Sequence, residues 1–246
     1  MDRMLYVAMS GAKNAMQAQA TNSHNLANAN TVGFKADLDV FADKHVYGPG
    51  HPTRAYTQDE RAGTDFNAGS LMTTGRGMDV AIKGQGWLAV QGPDGGEAYT
   101  RAGDLRVNSA GVLTNGAGRV VLGEGGPIAI PPAEKVDIAA DGTISIVPAG
   151  EGPQNVAALD RIKLVNPPTD QLEKGKDGLF RLANEEQAEA DAGVQLVSGA
   201  LESSNVNPVD AMVKMIEYSR MFETQSKMLK TADENDSASN RLLRMG

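Results

Sequence analysis

Glycine is spread unevenly along this 246-residue chain: 19 of its 28 glycines fall between Gly63 and Gly152, and only Gly11 and Gly33 lie among the first 35 residues. An interior glycine costs a helix roughly 0.5–1 kcal/mol, so this distribution divides the chain into helix-permissive ends and a turn-rich middle. From Asp2 to Asn28 there is no proline and one glycine, in a composition of Ala, Met, Gln and Asn that favours helix. Leu5, Met9, Ala12, Met16, Ser23 and Leu26 recur on alternating steps of four and three, with Gln19 as a polar interruption. That spacing predicts one thin apolar stripe, suited to packing against another helix. Alanines at 8, 12, 15, 18 and 20 would let a partner helix approach closely. The asparagine-rich run ending in Gly33 is the stop signal.

The far end repeats the theme. Asn207 is placed to cap a helix, Pro208 to occupy its first turn, and Asp210 to complement its dipole. Val206 and Ala211 are spaced as a hydrophobic staple. Met212, Met215, Ile216, Ser219, Phe222, Ser226, Leu229 and Asp233 then follow near-heptad spacing, with charged residues mostly on the other faces. From Asp233 to Ser239 the pattern turns polar, which predicts a frayed end or one held by neighbours.

Between these segments, short β-prone runs such as Leu88 to Gln91, Ala98 to Arg101, Thr143 to Val147 and Val194 to Val197 alternate with turn signals. Asp94-Gly95, Asn115-Gly116, Asp141-Gly142 and Asp177-Gly178 are the strongest of those signals. An α+β fold follows. Residues 1–33 and 205–246 form the helical part and residues 72–204 an antiparallel β domain. Residues 34–71 show no sustained period and carry Pro49 and Pro52, so they are expected to be an extended connector.

The chemistry available to the chain is narrow. A net charge of −8 repels phosphate backbones and argues against nucleic acid. No window approaches the roughly 20 apolar residues of a spanning helix, and the first residues lack a secretory apolar core with a cleavage site. With no cysteine there are no thiolate ligands or disulfides. His24, His45 and His51 are the only histidines and show no metal-ligand spacing. Gly84-Gln85-Gly86 lacks the third glycine and the following helix of a dinucleotide loop, and fits a tight turn between strands. Glu185-Glu186 sits in a polar run expected to be a solvated face. No catalytic residue, cofactor or metal is expected.

Three motifs carry a resemblance. Asn25 to Lys35 (NLANANTVGFK), following the Ala- and Gln-rich helix, resembles the signature of flagellar rod and hook proteins. Leu201 to Asp236 is similar to that family's C-terminal block, including Ser204-Asn205-Val206 and Arg220-Met221-Phe222-Glu223. Gly69 to Val90 with Tyr99-Thr100-Arg101 is similar to a central region shared by the hook protein and two rod proteins. Within the family, the chain length differs from that of the longer hook protein, and the central β domain from the shorter rod members. Met1-Asp2-Arg3 with Tyr6 to Gly11 resembles the proximal-rod member, since the distal-rod member more often has Trp and Thr where Tyr6 and Ser10 stand. His24, where the family often has a second Asn, and Trp87-Leu88, in place of the usual aromatic pair, are departures.

The resemblance implies a structural subunit of the basal-body rod whose terminal helices pair into a coiled-coil-like axial layer. Its partners would be copies of itself and other rod proteins, after export by the flagellar type III apparatus without a cleaved signal, in the periplasmic part of the flagellum. Subunit contacts are expected at Leu5, Met9, Ala12, Met16, Leu26, Met212, Ile216, Phe222 and Leu229. Asn25, Leu26, Ala27, Asn28, Thr31, Gly33, Phe34, Ser204, Asn205 and Val206 are the family-motif positions, and Asn25, Asn28 and Gly33 are expected to reverse the chain. Periodicity alone also allows the two helices to form a private hairpin in a monomeric ligand-binding β protein. That reading requires both ends to resist limited proteolysis of the monomer, whereas assembly-coupled order requires them to be clipped.

Overall fold

A computed structural model describes residues 3–45, 55–150, 155–184 and 186–244. Among the described residues the fold is α+β, two long helices with a largely antiparallel set of strands. It divides into two compact units, one of residues 1–29, 36–65 and 206–246, the other of residues 30–35 and 66–205.

The first unit is mainly helical. Its helix α1 spans Arg3–Ala27 and its helix α2 spans Pro208–Arg244. The cap expected of Asn207 is present, its Oδ1 accepting from the Val209 N–H at 3.0 Å and the Asp210 N–H at 3.4 Å. Asp210 then pairs with Lys214 one turn on, at 2.9 Å. The polar run Asp233 to Ser239 stays helical, and α2 continues to Arg244. Helix α1 closes with the Asn28 N–H shared between the His24 and Asn25 carbonyls.

Residues 34–71 are not the extended connector that their lack of periodicity predicts. Asp37–His45 and Ala55–Thr64 pair as an antiparallel ladder, in register from Asp37 with Thr64 to His45 with Ala55, with an irregularity between Leu38 and Val40. Leu38, Val40 and Ala42 do alternate in the first strand, but the second, with Gln58, Asp59, Glu60 and Arg61 in succession, shows no such alternation to advertise a partner. The ladder is also tied to α1 by side chains. Thr21 Oγ1 donates to Asp39 Oδ1 at 2.9 Å, and Asn25 holds both backbone groups of Asp37.

The second unit is built of strands. A five-stranded antiparallel sheet runs in the spatial order Leu164–Val165, Trp87–Gln91, Glu97–Thr100, Phe180–Leu182 and Leu172–Lys174. Alternation along Trp87–Gln91 sends Leu88 and Val90 into one apolar cluster, with Leu105, Leu113 and Ile144. Trp87 and Ala89 go into the other, with Tyr99, Val165 and Phe180. The sheet is therefore buried on both faces at this strand. In the second cluster Trp87 lies 4.5 Å from Phe180 between ring centroids, and Phe66 meets Trp87 edge-on at 6.1 Å. Burial, partly offset by the Ala188 N–H donating to its oxygen and reinforced by the neighbouring Glu97 carboxylate, pushes the Tyr99 hydroxyl up to about 12. A three-stranded sheet, Ala133–Ile138, Thr143–Pro148 and Ala157–Arg161, and several two-stranded pairs complete the unit.

The turn signals hold with one change of detail. Gly95, Gly142 and Gly178 have positive φ, as Asp-Gly turns require. At Asn115-Gly116 the positive φ falls instead on Gly118, which closes the turn by donating to the Asn115 carbonyl. Gly116 is needed for space, because a Cβ there would lie 1.6 Å from Asp104 Oδ2.

Candidate assembly interface

Within the helical unit, α1 and α2 lie antiparallel. Asn22, near the end of α1, donates from Nδ2 to the Ala211 carbonyl near the start of α2 at 2.7 Å. Gly11, earlier in α1, faces Gln225 further along α2, whose side chain a Cβ would meet at 2.8 Å. The seam is lined by small residues: Ala8, Ala12, Ala15 and Ala18 on α1 and Ala211 and Ala232 on α2 are buried. The sequence places alanines at these positions for close helix approach, and here the partner helix belongs to the same chain. Ala20 is exposed.

The larger apolar side chains are elsewhere. Leu5, Met9 and Met16 are 39%, 52% and 59% exposed, on a face of α1 roughly a quarter-turn from the alanine seam. Met212 and Ile216 are each 55% exposed, on the side of α2 opposite its buried alanines. Of the nine expected contact residues, only Ala12 is buried; Leu26 and Leu229 are half-buried, and Phe222 is exposed. The intrachain seam therefore does not use the methionine stripe that periodicity singles out. Alanines allow two helices closer together than Leu or Met would, and the bulky stripe is rotated out of the gap. Sequence reasoning missed Val209 and Val213, 68% and 50% exposed. With Met212 and Ile216 they complete an i, i+3, i+4, i+7 stripe, a signal present in the sequence but hidden by the search for a strict heptad.

The motif positions are held by specific bonds. Asn25 Nδ2 donates to the Asp37 carbonyl at 2.8 Å while its Oδ1 accepts the Asp37 N–H at 2.9 Å, mimicking one rung of a ladder. Asn28 Nδ2 bonds back to the His24 carbonyl at 3.0 Å, and the neighbouring Leu26 and Ala27 complete the last helical turn. The Thr31 carbonyl accepts the Phe34 N–H, and Gly33 turns the chain at a φ of 67°. No side chain fits at Gly33, since a Cβ would sit 2.3 Å from the Arg101 carbonyl carbon. The Phe34 ring carries Lys174 Nζ at 4.0 Å from its centroid. At the other end of the chain Asn205 donates from its N–H to the Phe34 carbonyl and from Nδ2 to that of Asn67, beside buried Ser204 and half-buried Val206.

Within the β-rich unit three charged residues, one from each sequence motif, meet out of water. Lys35 Nζ lies 2.7 Å from Glu202 Oε1, and Arg101 Nη1 lies 2.9 Å from Glu202 Oε2. The side chains of Lys35, Arg101 and Glu202 are 0%, 5% and 1% exposed. Burial pushes the Glu202 carboxyl up, but the Lys35 hydrogen bond, the Arg101 charge and the Gly69 N–H hold it below the usual carboxylate range. Arg101 also donates to the Gly84 carbonyl and lies over the Trp87 ring.

The remaining candidates have ordinary surroundings. His24 Nδ1 is 2.9 Å from Asp37 Oδ2, and His51 and Glu185 lie outside the described residues, as does the side chain of His45. Gly84 and Gly86, at φ of 87° and 127°, make the turn between Val80–Lys83 and Trp87–Gln91. Glu186 accepts from Asn184 on the surface.

Comparison with known proteins accounts for the same segments. Residues 5–35 match the family model described as flagella basal body rod protein. Residues 81–146 match the flagellar hook protein FlgE/F/G D1 domain, and residues 197–242 the flagellar basal body rod FlgEFG protein C-terminal region. Over the whole of both chains, the sequence is 43% identical to the flagellar basal-body rod protein FlgF of Salmonella typhimurium and equally to that of Escherichia coli K12. It is 34% identical to the flagellar basal-body rod protein FlgG of Bacillus subtilis over 94% of this chain and 96% of that one. With helical ends, a β-rich body and motif residues locked in place, the chain belongs to the flagellar basal-body rod protein family, in its FlgF branch.

Proposed function

We propose that this chain is a non-catalytic building block of the basal-body rod that joins its neighbours through the outward apolar faces of α1 and α2. The carrying observation is the separation of two faces on each helix, small residues toward the chain's own partner helix and Leu5, Met9, Met16, Val209, Met212, Val213 and Ile216 toward solvent. An apolar stripe left bare on a helix that already has one partner is the signature of a second packing event. Other copies of the chain and other rod proteins would cover these stripes in a coiled-coil-like axial layer made from segments 1–33 and 205–246. Contacts of this kind differ on the two sides of a subunit, and heterologous contacts that do not close on themselves build a helical shaft.

This reading carries the finer expectations of the family. Export through the flagellar type III apparatus without a cleaved signal, and a place in the periplasmic stretch of the rod, are compatible with a helical unit that gains order on assembly. Met9→Asp and Ile216→Asp test it, because each puts a charge on an exposed stripe without touching the alanine seam. Both variants should fold as isolated proteins, fail to enter basal bodies and leave cells non-motile. Normal incorporation of both would remove the outward stripes from the interface.

A further inference from the structure

Two neighbouring hairpins of the β-rich unit share one turn design. In the first, the Asn108 N–H donates to the Val112 carbonyl and the Gly111 N–H to the Asn108 carbonyl, each at 3.0 Å. In the second, the Asn115 N–H donates to the Arg119 carbonyl and the Gly118 N–H to the Asn115 carbonyl, each at 2.9 Å. Both asparagines also accept within the turn: Asn108 Oδ1 takes the N–H groups of Ala110 and Val112, and Asn115 Oδ1 takes that of Arg119 at 2.9 Å. The residue after the asparagine is Ser109 in one and Gly116 in the other. A Cβ at 116 would lie 1.6 Å from Asp104 Oδ2, so the second turn has to carry glycine where the first carries a side chain.

That requirement creates the one Asn-Gly pair in the chain, a chemically labile dipeptide. In such a pair the glycine nitrogen, on losing its proton to solvent, attacks the asparagine Cγ. A new N–C bond closes a five-membered succinimide, the Cγ–Nδ2 bond breaks and ammonia leaves. Water then opens the ring at either carbonyl, giving aspartate or isoaspartate. A side chain on the second residue hinders the attack, so Ser109 slows this reaction at Asn108 and Gly116 leaves it unhindered at Asn115.

The fold supplies the hindrance instead. Asn115 is 1% exposed, whereas Asn108 is on the surface. The N–H, carbonyl and Oδ1 of Asn115 are all engaged by Arg119 and Gly118, which fixes the torsions that ring closure has to change. Gly116 packs against the Asp104 carboxylate, and the strands flanking the turn bury Leu113 and Val121 completely. We infer that Asn115-Gly116 is a self-modification site that folding closes: it converts while the chain is open and is inert once its hairpin has formed. Isoaspartate is also barred from re-entry. It adds one backbone carbon next to Thr114, which pairs with Arg106 on one side and bridges Val120 on the other, so the two registers no longer fit together. The site therefore removes from the folding pool chains that have stayed open too long.

Parallel incubation of the full-length chain in buffer and in concentrated urea at one mildly alkaline pH, followed by peptide mass spectrometry, tests this. In urea the peptide carrying Asn115 should show the amide-to-acid mass change first, ahead of the one carrying Asn108. In buffer the Asn115 rate should fall by more than about a hundredfold, because reaction then waits on opening of a core hairpin, and by a larger factor than the Asn108 rate. Chains aged in urea and returned to buffer give a second reading. The fraction that regains native Trp87 fluorescence should be depleted in isoaspartate at position 115. A smaller fall in the Asn115 rate on folding would overturn the closure, and isoaspartate as abundant in the refolded fraction as in the starting mixture would overturn the bar to re-entry.

Discussion

In the helical unit every apolar side chain that is fully buried among the described residues is an alanine, whereas in the β-rich unit those places belong to Leu88, Leu105, Leu113, Ile128 and Ile144. Burying a Leu or Ile side chain contributes about 1.5–3 kcal/mol, and a methyl group much less. The β-rich unit therefore holds its core largely by its own side chains. The helical unit instead leaves many of its large apolar residues in water, Met16 at 59% and Val209 at 68% exposure among them. A unit with so little of its apolar surface withdrawn is held less firmly by its own side chains than the β-rich unit is.

The contrast can be broken at several points. Lys35→Met, which strips Glu202 of one cation inside the β-rich unit, should cost about 3–5 kcal/mol in chemical denaturation followed by Trp87 fluorescence. It should also raise the pH of acid unfolding. A carboxyl held below its ordinary value stabilises the fold fully above its unfolded pKa and loses that contribution as pH falls through the depressed value; with Lys35 gone the depression shrinks and the loss begins earlier. Leu113→Ala, in the same unit, should cost about 2–5 kcal/mol by the same measurement. Ala15→Leu would overfill the helical seam at about 1–3 kcal/mol, read as a lower midpoint of the far-ultraviolet helix signal. An unchanged midpoint would mean that the alanine seam is not closely packed. Ile216→Asp, on the bare stripe, should change the stability of the isolated chain by no more than about 0.5 kcal/mol. A larger loss would place Ile216 inside the monomer's own packing and erase the distinction between its two helix faces.

Much of this was legible in the residues. The Asn207 cap, Pro208 and Asp210 located the start of α2, and the Asp-Gly turns marked off the strands, because both are local signals that depend on a few neighbouring residues. The pairing of Asp37–His45 with Ala55–Thr64 was not legible, since the alternation of Leu38, Val40 and Ala42 is short and its partner strand is polar. The rotation between the alanine seam and the methionine stripe was hidden for another reason. A heptad count identifies apolar positions, but which of two adjacent stripes faces a partner depends on side-chain bulk across the gap. The meeting of Lys35, Arg101 and Glu202 was beyond any local pattern: each stands in its own motif, and only the folded chain shows that the motifs share one site.

The alanine seam also sets how the protein can change over generations. A core of Leu and Ile fails mainly by losing volume, so drift there is bounded from below; a seam of Ala8, Ala12, Ala15 and Ala18 can fail only by gaining it, so drift is bounded from above. Glycine and serine remain open to it, and nearly every other replacement is closed. The bare stripe one face away obeys neither bound within the monomer, because its side chains fill no gap there. Under the proposed rod contact, substitutions at Met9 or Ile216 would be tolerated only in company with changes in the neighbour, and this face would be a record of the rod's composition written in a single subunit.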